Sequence, residues 1–382
     1  MKLTEIIAEE YAESENRIIG EIKKGEGETD KGRRMILLAY KHFLSERNEE
    51  ILKGIPQINA QIPGYTQQLN RVNDPYAGRL ITCHGMPIDP EDFYQYADNH
   101  IQKIIGKYTP EDISHFSFEM NQFQNEVAFP LTGLFISCLI NRHANETKEE
   151  GNKENKENKN EKMDKKEENE EDKEEAEKDE ENKEHKKDKK DKNENKKKQS
   201  SEYLLVTEHL ETPIDGLCTY NTSNVTIQGN VYSMACNKMS GGIVTIHGNC
   251  EHFLGQKITG GTIYIYGGAG NFLGEGMENG EISVYGKKTK DFDGWKREDS
   301  KLLGAGIYVG KGMKKGKIII NGYIGEHIGD HMEEGRIYIN TTIARSRVKL
   351  AIDETFKGGR IYHNNTIIES GARKRLRRFL KG

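Results

Sequence analysis

The sequence predicts an α+β protein, with a mainly helical N-terminal domain over residues 1–144 and a single-stranded parallel β-helix of about seven coils over residues 221–365. Three observations predict the β-helix. Glycines recur with a 19-residue period, alternating apolar residues follow each of them, and most repeats carry a second glycine motif. The N-terminal domain is predicted by apolar residues at helical spacing, as at Met35, Leu38 and Phe43.

The glycine spacing defines the coils. The glycines that precede each apolar run are separated by 19, 19, 36, 19 and 24 residues, and they are Gly242, Gly261, Gly280, Gly316, Gly335 and Gly359. Because 36 is 19 plus 17, one coil carries an insertion of 17 residues, which we place at about 287–302. We expect this insertion to leave the coil as a loop.

After each glycine, apolar residues stand two apart, which is typical of a strand with one buried face. In the coil that begins at Gly261, we expect Ile263 and Ile265 to point inward and Tyr264 to point outward. The corresponding outward positions in the other coils are Thr226, Thr245, Ser283, Ile319, Tyr338 and Tyr362.

The second motif is a glycine followed three residues later by methionine or isoleucine. It places Met277, Met313 and Met332 in one inward column, and the apolar residue before the glycine forms another. We expect the glycine between the two columns to form a corner, where the backbone needs freedom in φ.

The coils must stack to be stable. A lone coil would bury three or four apolar side chains at about 1.5–3 kcal/mol each, which falls short of ordering 19 residues at about 1–2 kcal/mol apiece. Stacking adds ladder hydrogen bonds and a continuous core. The glycine density excludes helical repeats, and a period of 19 does not fit a hexapeptide helix.

The repeat also carries a family resemblance. The pattern G-N-x-x-x-x-L-G-x-x-[MI]-x-x-G-x-I-x-[IV] occurs at residues 248–265 and, with glycine in place of the asparagine, at residues 267–284. It resembles the GXGXG repeat domain, which forms the C-terminal right-handed β-helix of the glutamate synthase large subunit and most of one of the subunits of formylmethanofuran dehydrogenase. The resemblance covers about residues 225–362 and none of the first 200.

The resemblance implies a right-handed β-helix that serves as a scaffold beside catalytic domains. Glutamate synthase needs an N-terminal nucleophilic cysteine, an FMN-binding barrel and iron–sulfur cysteines, whereas this chain starts Met-Lys and has no cysteine cluster. It is also too short to add a barrel of about 250 residues. We therefore expect a non-catalytic protein without a cofactor that docks a partner enzyme or associates with itself. The alternative is a subunit of a glutamate synthase-like or formylmethanofuran dehydrogenase-like oxidoreductase complex.

Cysteine usage and the first residues bear on location. Five cysteines form no CxxC pair, which argues against a disulfide framework and a zinc ribbon and predicts a reducing compartment. The start has acidic residues where a signal peptide would be basic and then apolar, and no run of eighteen apolar residues occurs. We expect a cytoplasmic protein without a membrane span.

Residues 145–200 are almost wholly Lys, Glu, Asn and Asp, so we expect a disordered insertion. Apolar runs at 134–140 and 203–206 flank it. We expect these runs to pair as neighbouring strands, so that residues 201–220 complete the N-terminal domain and lead into the first coil.

Candidate catalytic residues are few. Cys83 and His84 lie in a loop bounded by glycine and proline, and with His209 and Glu211 they would mark a site at the junction of the two domains. A packed thiol beside a surface imidazole is the competing interpretation.

Two further patterns in the repeat are weaker. His327 and His331 stand four apart, which is a metal-ligand spacing on a helix, but in this coil they straddle a corner. Gly267, Gly268 and Gly270 would cradle a phosphate only if a helix followed, and no helical pattern follows. We interpret both as parts of solenoid corners.

Residues 366–382 form a basic tail or cap. Leu376, Phe379 and Leu380 share one helical face, surrounded by Arg373, Lys374, Arg375, Arg377, Arg378 and Lys381. One interpretation is a helix that covers the open end of the solenoid. The other is attachment to nucleic acid or another anionic surface.

Overall fold

The computed structural model describes residues 28–61, 95, 98, 101, 106–126, 128–149, 202–212, 214–286 and 304–371. In these residues, a helical N-terminal region precedes a parallel β-solenoid with about six turns of roughly 19-residue period over residues 202–340. The α+β prediction is therefore confirmed. No helix in the described ranges is long and apolar enough to cross a membrane.

The helical region contains α1 (Glu28–Gln61), α2 (Pro110–Glu119) and α3 (residues 132–149), with 3₁₀ turns at Met120–Phe123 and Phe129–Leu131. Helix α2 begins with a capping box. The Thr109 hydroxyl accepts a hydrogen bond from the backbone N–H of Asp112, and the Asp112 carboxylate accepts one from the backbone N–H of Thr109. This reciprocal arrangement satisfies donors that the helix start would otherwise leave free.

The core of the helical region is aromatic. Tyr40 and Phe43 of α1, Phe116 of α2 and Phe135 of α3 are all fully buried. The ring centroids of Tyr40 and Phe116 are 4.9 Å apart with their planes at 73°, and those of Phe43 and Phe135 are 5.3 Å apart. The Tyr40 hydroxyl lies 2.6 Å from Oγ1 of Thr132, so the polar end of this buried ring is also satisfied.

The solenoid sheet has nine strands in sequence order, of which the first eight are parallel. They are β1 (Glu202–Val206), β2 (Asn224–Gln228), β3 (Ile243–His247), β4 (Thr262–Ile265), β5 (Glu281–Val284), β6 (Lys317–Asn321), β7 (Arg336–Asn340), β8 (Arg360–His363) and β9 (Thr366–Ser370).

The register confirms the repeat period. Ile243 pairs with Thr262 and Lys317 with Arg336, in both cases 19 residues apart. Strand β5 pairs with β6 at a 36-residue distance, so 17 more residues separate these two rungs than a 19-residue period requires. The inserted residues 287–303 lie outside the described residues.

The predicted inward columns are buried. Ile263, Ile265, Met277, Met313 and Met332 are all fully buried. An additional column, which the sequence analysis did not identify, is joined by single parallel bridges between Val231, Cys250, Ala269, Ala305 and Ile324.

One predicted outward position is buried. Ser283 is 5 % exposed, whereas the other positions of that column are half-buried. Its register partners on the two neighbouring strands are Tyr264 and Ile319, and these larger side chains flank the small serine.

The strand predicted at residues 134–140 is wrong, because these residues belong to α3. Every residue of the run is buried, and a continuous apolar run looks the same for a buried helix as for a buried strand. The other predicted strand, β1, pairs with β2 and not with residues 134–140. The solenoid therefore starts at Glu202, earlier than the predicted boundary at 221.

The predicted disordered insertion begins too early as well. Residues 145–149 continue α3, while residues 150–201 lie outside the described residues. The helical region covers the first turn of the solenoid. Asp215 donates its backbone N–H to the carbonyl of Pro130 at 2.8 Å, and the Asn141 amide donates to the carbonyl of Thr219 at 2.8 Å.

The other end of the solenoid is closed by a hairpin. Strand β9 runs antiparallel to β8, and the turn between them places Asn364 at φ 45° and Asn365 at φ 63°. Two central residues with positive φ are typical of a type I′ turn. A short helix, α4 (Arg345–Leu350), occupies the longer connection between β7 and β8. The tail predicted to cap this end lies beyond Gly371, outside the described residues.

Candidate functional site

The outer surface of strands β3–β5 carries a group of aromatic and apolar side chains, which we call the aromatic face: Ile243, His247, Tyr264, Tyr266 and Tyr285. They share one surface because side chains two apart in a strand point to the same side of the sheet. Ile243 is 44 % exposed and Tyr285 is 38 % exposed.

The rings of the aromatic face are ordered by stacking between rungs. His247 and Tyr266 have centroids 4.8 Å apart and planes within 13°, and Tyr266 and Tyr285 have centroids 5.0 Å apart and planes within 26°. Tyr264 lies beside Tyr285 at 6.4 Å. His247, Tyr266 and Tyr285 therefore each contact the equivalent ring of a neighbouring rung, which restricts their side-chain conformations.

Other outward side chains of the solenoid also pair with side chains of the neighbouring rung. Lys314 pairs with Glu278 at 2.8 Å and Lys317 with Glu281 at 3.1 Å. A second aromatic row runs along another side of the solenoid and consists of Phe253, Phe272, Tyr308 and His327, with successive centroids 4.7, 5.0 and 4.6 Å apart. Its central rings are covered by the Lys311 ammonium, 5.4 Å from the Phe272 centroid and 5.2 Å from that of Tyr308.

The densest polar cluster among the described residues is a histidine–carboxylate clamp formed by His327, Asp330, His331, Asp353 and Thr355. His327 Nδ1 donates to Asp353 at 2.7 Å, and His331 Nδ1 donates to Asp330. The Thr355 hydroxyl lies between the two carboxylates, 2.7 Å from Oδ1 of Asp353, and accepts the backbone N–H of His331 at 2.9 Å. The clamp therefore ties the connection after α4 to the preceding rung.

The clamp stabilises the ionised carboxylates. Burial alone would raise the pKa of Asp353, but hydrogen bonds from the hydroxyl and backbone N–H of Thr355 and from His327 outweigh it and lower the pKa to about 2. For Asp330, burial is likewise outweighed by hydrogen bonds from Thr355 and His331, so its pKa is also lowered. These hydrogen bonds join the connection that holds Asp353 and Thr355 to the rung that holds Asp330 and His331, which stabilises this end of the solenoid.

The structure places the predicted site residues as follows. His209 packs on Phe118 with centroids 4.9 Å apart, and neither of its buried ring nitrogens has a hydrogen-bond partner among the residues that the structure describes. Glu211 is exposed, and its backbone N–H donates to Gln124 at 2.6 Å. Cys83 and His84 lie outside the described residues, so their approach to His209 stays a prediction.

The described cysteines are buried. Cys138, Cys218, Cys236 and Cys250 form no disulfide bond with one another. Burial raises the pKa of the Cys138, Cys236 and Cys250 thiols well above the usual value, so the reactive thiolate is disfavoured. Among the residues that the structure describes, no group of three or more His, Cys, Asp or Glu is arranged to hold a metal ion.

The glycines at 267–270 form a solenoid corner. A Cβ at Gly270 would lie 1.7 Å from the carbonyl oxygen of Glu251, so glycine is required there for the close approach of two backbones. Turns and not a helix follow. The cations of the tail, Arg373, Lys374, Arg375, Arg377 and Arg378, lie outside the described residues, and their binding of nucleic acid stays a prediction.

The aromatic face was not among the predicted sites. Tyr264 was predicted to point outward, but His247, Tyr266 and Tyr285 occupy the next outward position, where they recur at 19-residue spacing. That recurrence was the available signal. Comparison of the chain with protein-family models, with curated proteins and with solved structures finds no match.

The fold and the surface together define a β-solenoid protein with one helix-covered end, one hairpin-closed end and an exposed, pre-ordered aromatic face.

Proposed function

We propose that this protein is a non-catalytic scaffold that docks a partner protein on the aromatic face. The observation that carries the proposal is the stacked row of His247, Tyr266 and Tyr285 on the outer surface of the solenoid, where Tyr285 is 38 % exposed. Tyrosine is enriched at protein interfaces because one ring offers apolar area and a hydroxyl together.

The stacking of the rings in the aromatic face favours a role in docking over a role in stability alone. Binding costs about 0.5–1.5 kcal/mol for each side chain that must be immobilised, and stacking within the solenoid meets much of this cost beforehand. Ile243 and Leu204, 44 % and 41 % exposed, extend the apolar area along the same outer surface. Lys314 and Lys317 already form ion pairs with Glu278 and Glu281, so these charged rows offer a partner fewer unpaired groups.

The class of partner rests on the resemblance to the GXGXG repeat domain. In that family the β-helix stands against catalytic domains or subunits, so the proposed partner is an enzyme subunit, and a second copy of the chain is the alternative. The oxidoreductase complexes of the two proteins that contain this domain are the first candidates for such a partner.

The test combines partner isolation with mapping. The full chain is purified from its native source, co-eluting chains are identified by mass spectrometry, and cross-links are assigned to residues. We expect cross-links from the partner to concentrate around β3–β5. Replacing Tyr266 and Tyr285 together by serine is expected to weaken the complex at least about tenfold, since interface tyrosines often contribute more than 1–2 kcal/mol.

The matched control is Tyr338→Ser. Tyr338 also lies on the outer surface of the sheet and stacks on Tyr362, with centroids 4.4 Å apart, but it stands at the far end of the solenoid. Its substitution should leave the affinity unchanged. A lone monomer with catalytic turnover of its own would overturn the proposal, and so would equal losses from the control and the test variants.

A second candidate function follows from His209. Buried imidazole nitrogens without partners are costly, so a ligand that accepts or donates hydrogen bonds at the junction would be stabilised there. His209→Phe preserves the ring contact with Phe118 and removes both nitrogens. Loss of turnover in a reconstituted complex, with the complex still assembled, would favour an enzyme subunit with a site at this junction; unchanged turnover would argue against it.

A further inference from the structure

The chain contains two Asn-Gly dipeptides, Asn279-Gly280 and Asn321-Gly322. The two differ in the hydrogen bonding of the asparagine amide and the glycine N–H: the ladder between rungs holds both groups in the second dipeptide and, among the described residues, neither in the first. An asparagine followed by glycine is open to an intramolecular reaction, because the glycine nitrogen can reach the side-chain amide carbon without obstruction by a Cβ. The reaction needs a glycine N–H that is not engaged elsewhere and an asparagine side chain free to turn.

At Asn279 both conditions are met. The side chain is exposed, and neither its amide nor the backbone N–H of Gly280 has a hydrogen bond among the described residues. Gly280 has φ +94° and lies in the bend between two rungs, where its carbonyl accepts a hydrogen bond from the backbone N–H of Lys317.

At Asn321 neither condition is met. The Asn321 amide donates to the carbonyl of Val284 at 3.0 Å, and its oxygen accepts from the Asn340 amide at 2.9 Å. Gly322 donates its backbone N–H to the carbonyl of Asn340 at 2.9 Å. The ladder between rungs β5, β6 and β7 thus holds both reacting groups apart.

We propose that Asn279 is a site of spontaneous backbone-assisted deamidation in the folded protein, and that Asn321 is protected. The deprotonated nitrogen of Gly280 attacks Cγ of Asn279, a carbon–nitrogen bond forms, and the side-chain amide leaves as ammonia. Water then opens the resulting cyclic imide at either carbonyl, which yields aspartate or isoaspartate at position 279. No oxidant, metal or second protein takes part.

The modification changes the outer surface in a defined way. Asn279 stands one turn before Lys315, the equivalent position of the next rung, so an aspartate there would add a carboxylate beside a cation. Isoaspartate would instead lengthen the backbone next to Gly280, whose carbonyl accepts from Lys317 at 3.0 Å, and would disturb the start of β6.

The test is peptide mapping of the intact full-length protein after incubation in mildly alkaline buffer. Tandem mass spectrometry locates the conversion of amide to acid, and chromatography separates aspartate from isoaspartate. We expect conversion at Asn279 to be at least about tenfold faster than at Asn321, since reaction at Asn321 must first break hydrogen bonds of the native ladder.

Two controls make the result decisive. In denaturant the two dipeptides should react at similar rates, which shows that the fold and not the local sequence discriminates between them. Asn340→Ala removes one of the three hydrogen bonds that hold Asn321 and Gly322, so it should speed conversion at Asn321, by less than denaturation does, and leave Asn279 unchanged. Equal rates in the folded protein, or no reaction at Asn279, would overturn the proposal.

Discussion

The helical region and the solenoid build their hydrophobic cores from different kinds of contact. In the helical region, Tyr40, Phe116 and Phe135 come from three helices that are far apart in sequence, and no repeat relates them. In the solenoid, Ile263 packs beside Val244 and Ile282, its equivalents one turn before and after. The comparison teaches that a repeat specifies its neighbours by period alone, whereas a helical core depends on segments meeting in space.

The largest expected effect is in the helical region. Phe135→Ala removes a fully buried ring that meets Tyr40, Phe43 and Phe116, and should destabilise that region by about 3–5 kcal/mol. Chemical denaturation measures the loss. Phe118→Ala, at a 61 % exposed position, is the control and should cost far less.

Hydrogen exchange on Phe135→Ala sharpens the comparison further. Because each rung contacts only its neighbours, protection should fall in α1–α3 and β1 and persist in β6–β8. Uniform loss of protection along all nine strands would show that the two regions unfold as one unit.

The next effect is at a solenoid corner. Gly274 has φ +65°, and a Cβ there would lie 2.7 Å from Cδ1 of Ile318. Gly274→Ala should therefore cost about 2–4 kcal/mol, from the left-handed conformation and from overpacking together. Gly312→Ala has a similar φ of +60° but open space around it, so it isolates the conformational cost of about 1–2 kcal/mol. Equal thermal shifts would contradict this separation.

The clamp should make a smaller, pH-dependent contribution. Asp353→Asn weakens hydrogen bonds to a charged carboxylate and should cost about 1–3 kcal/mol at neutral pH. The pKa of Asp353 is lowered from 3.8 to about 2 in the folded state, so the unfolded chain takes up the proton first as the pH falls. The difference between wild type and variant should be full above pH 3.8 and vanish as the pH falls through 2. Glu326→Gln, at an exposed position, is the control for the loss of one carboxylate.

The smallest effect is expected at the surface ion pairs. Lys314→Gln breaks the fully exposed pair with Glu278, and we expect no measurable change in the denaturation midpoint, because exposed pairs are screened by water and salt. A clear loss that disappears at high salt would show that the charged row supports the solenoid more than its exposure indicates.

The difference between the regions also explains which predictions were confirmed. Every rung repeats the same pattern of glycine and alternating apolar residues. The period, the strand positions and the inward residues Ile263, Met277 and Met332 were therefore predictable. The start of α2 is a local feature, because its capping box joins Thr109 and Asp112, three residues apart in the sequence. The run at 134–140 was not predictable, because an apolar stretch buried on all sides has no periodicity that distinguishes helix from strand.

The sequence by itself determined the rung, because a 19-residue pattern of glycine and alternating aliphatic residues can bury its apolar side chains only by stacking. Only the tertiary structure decided that β1 joins the solenoid, that the Asn364-Asn365 hairpin closes its far end, and that His247, Tyr266 and Tyr285 meet as one ordered surface. These features depend on which groups become neighbours across turns of the chain, and local propensity carries no information about that.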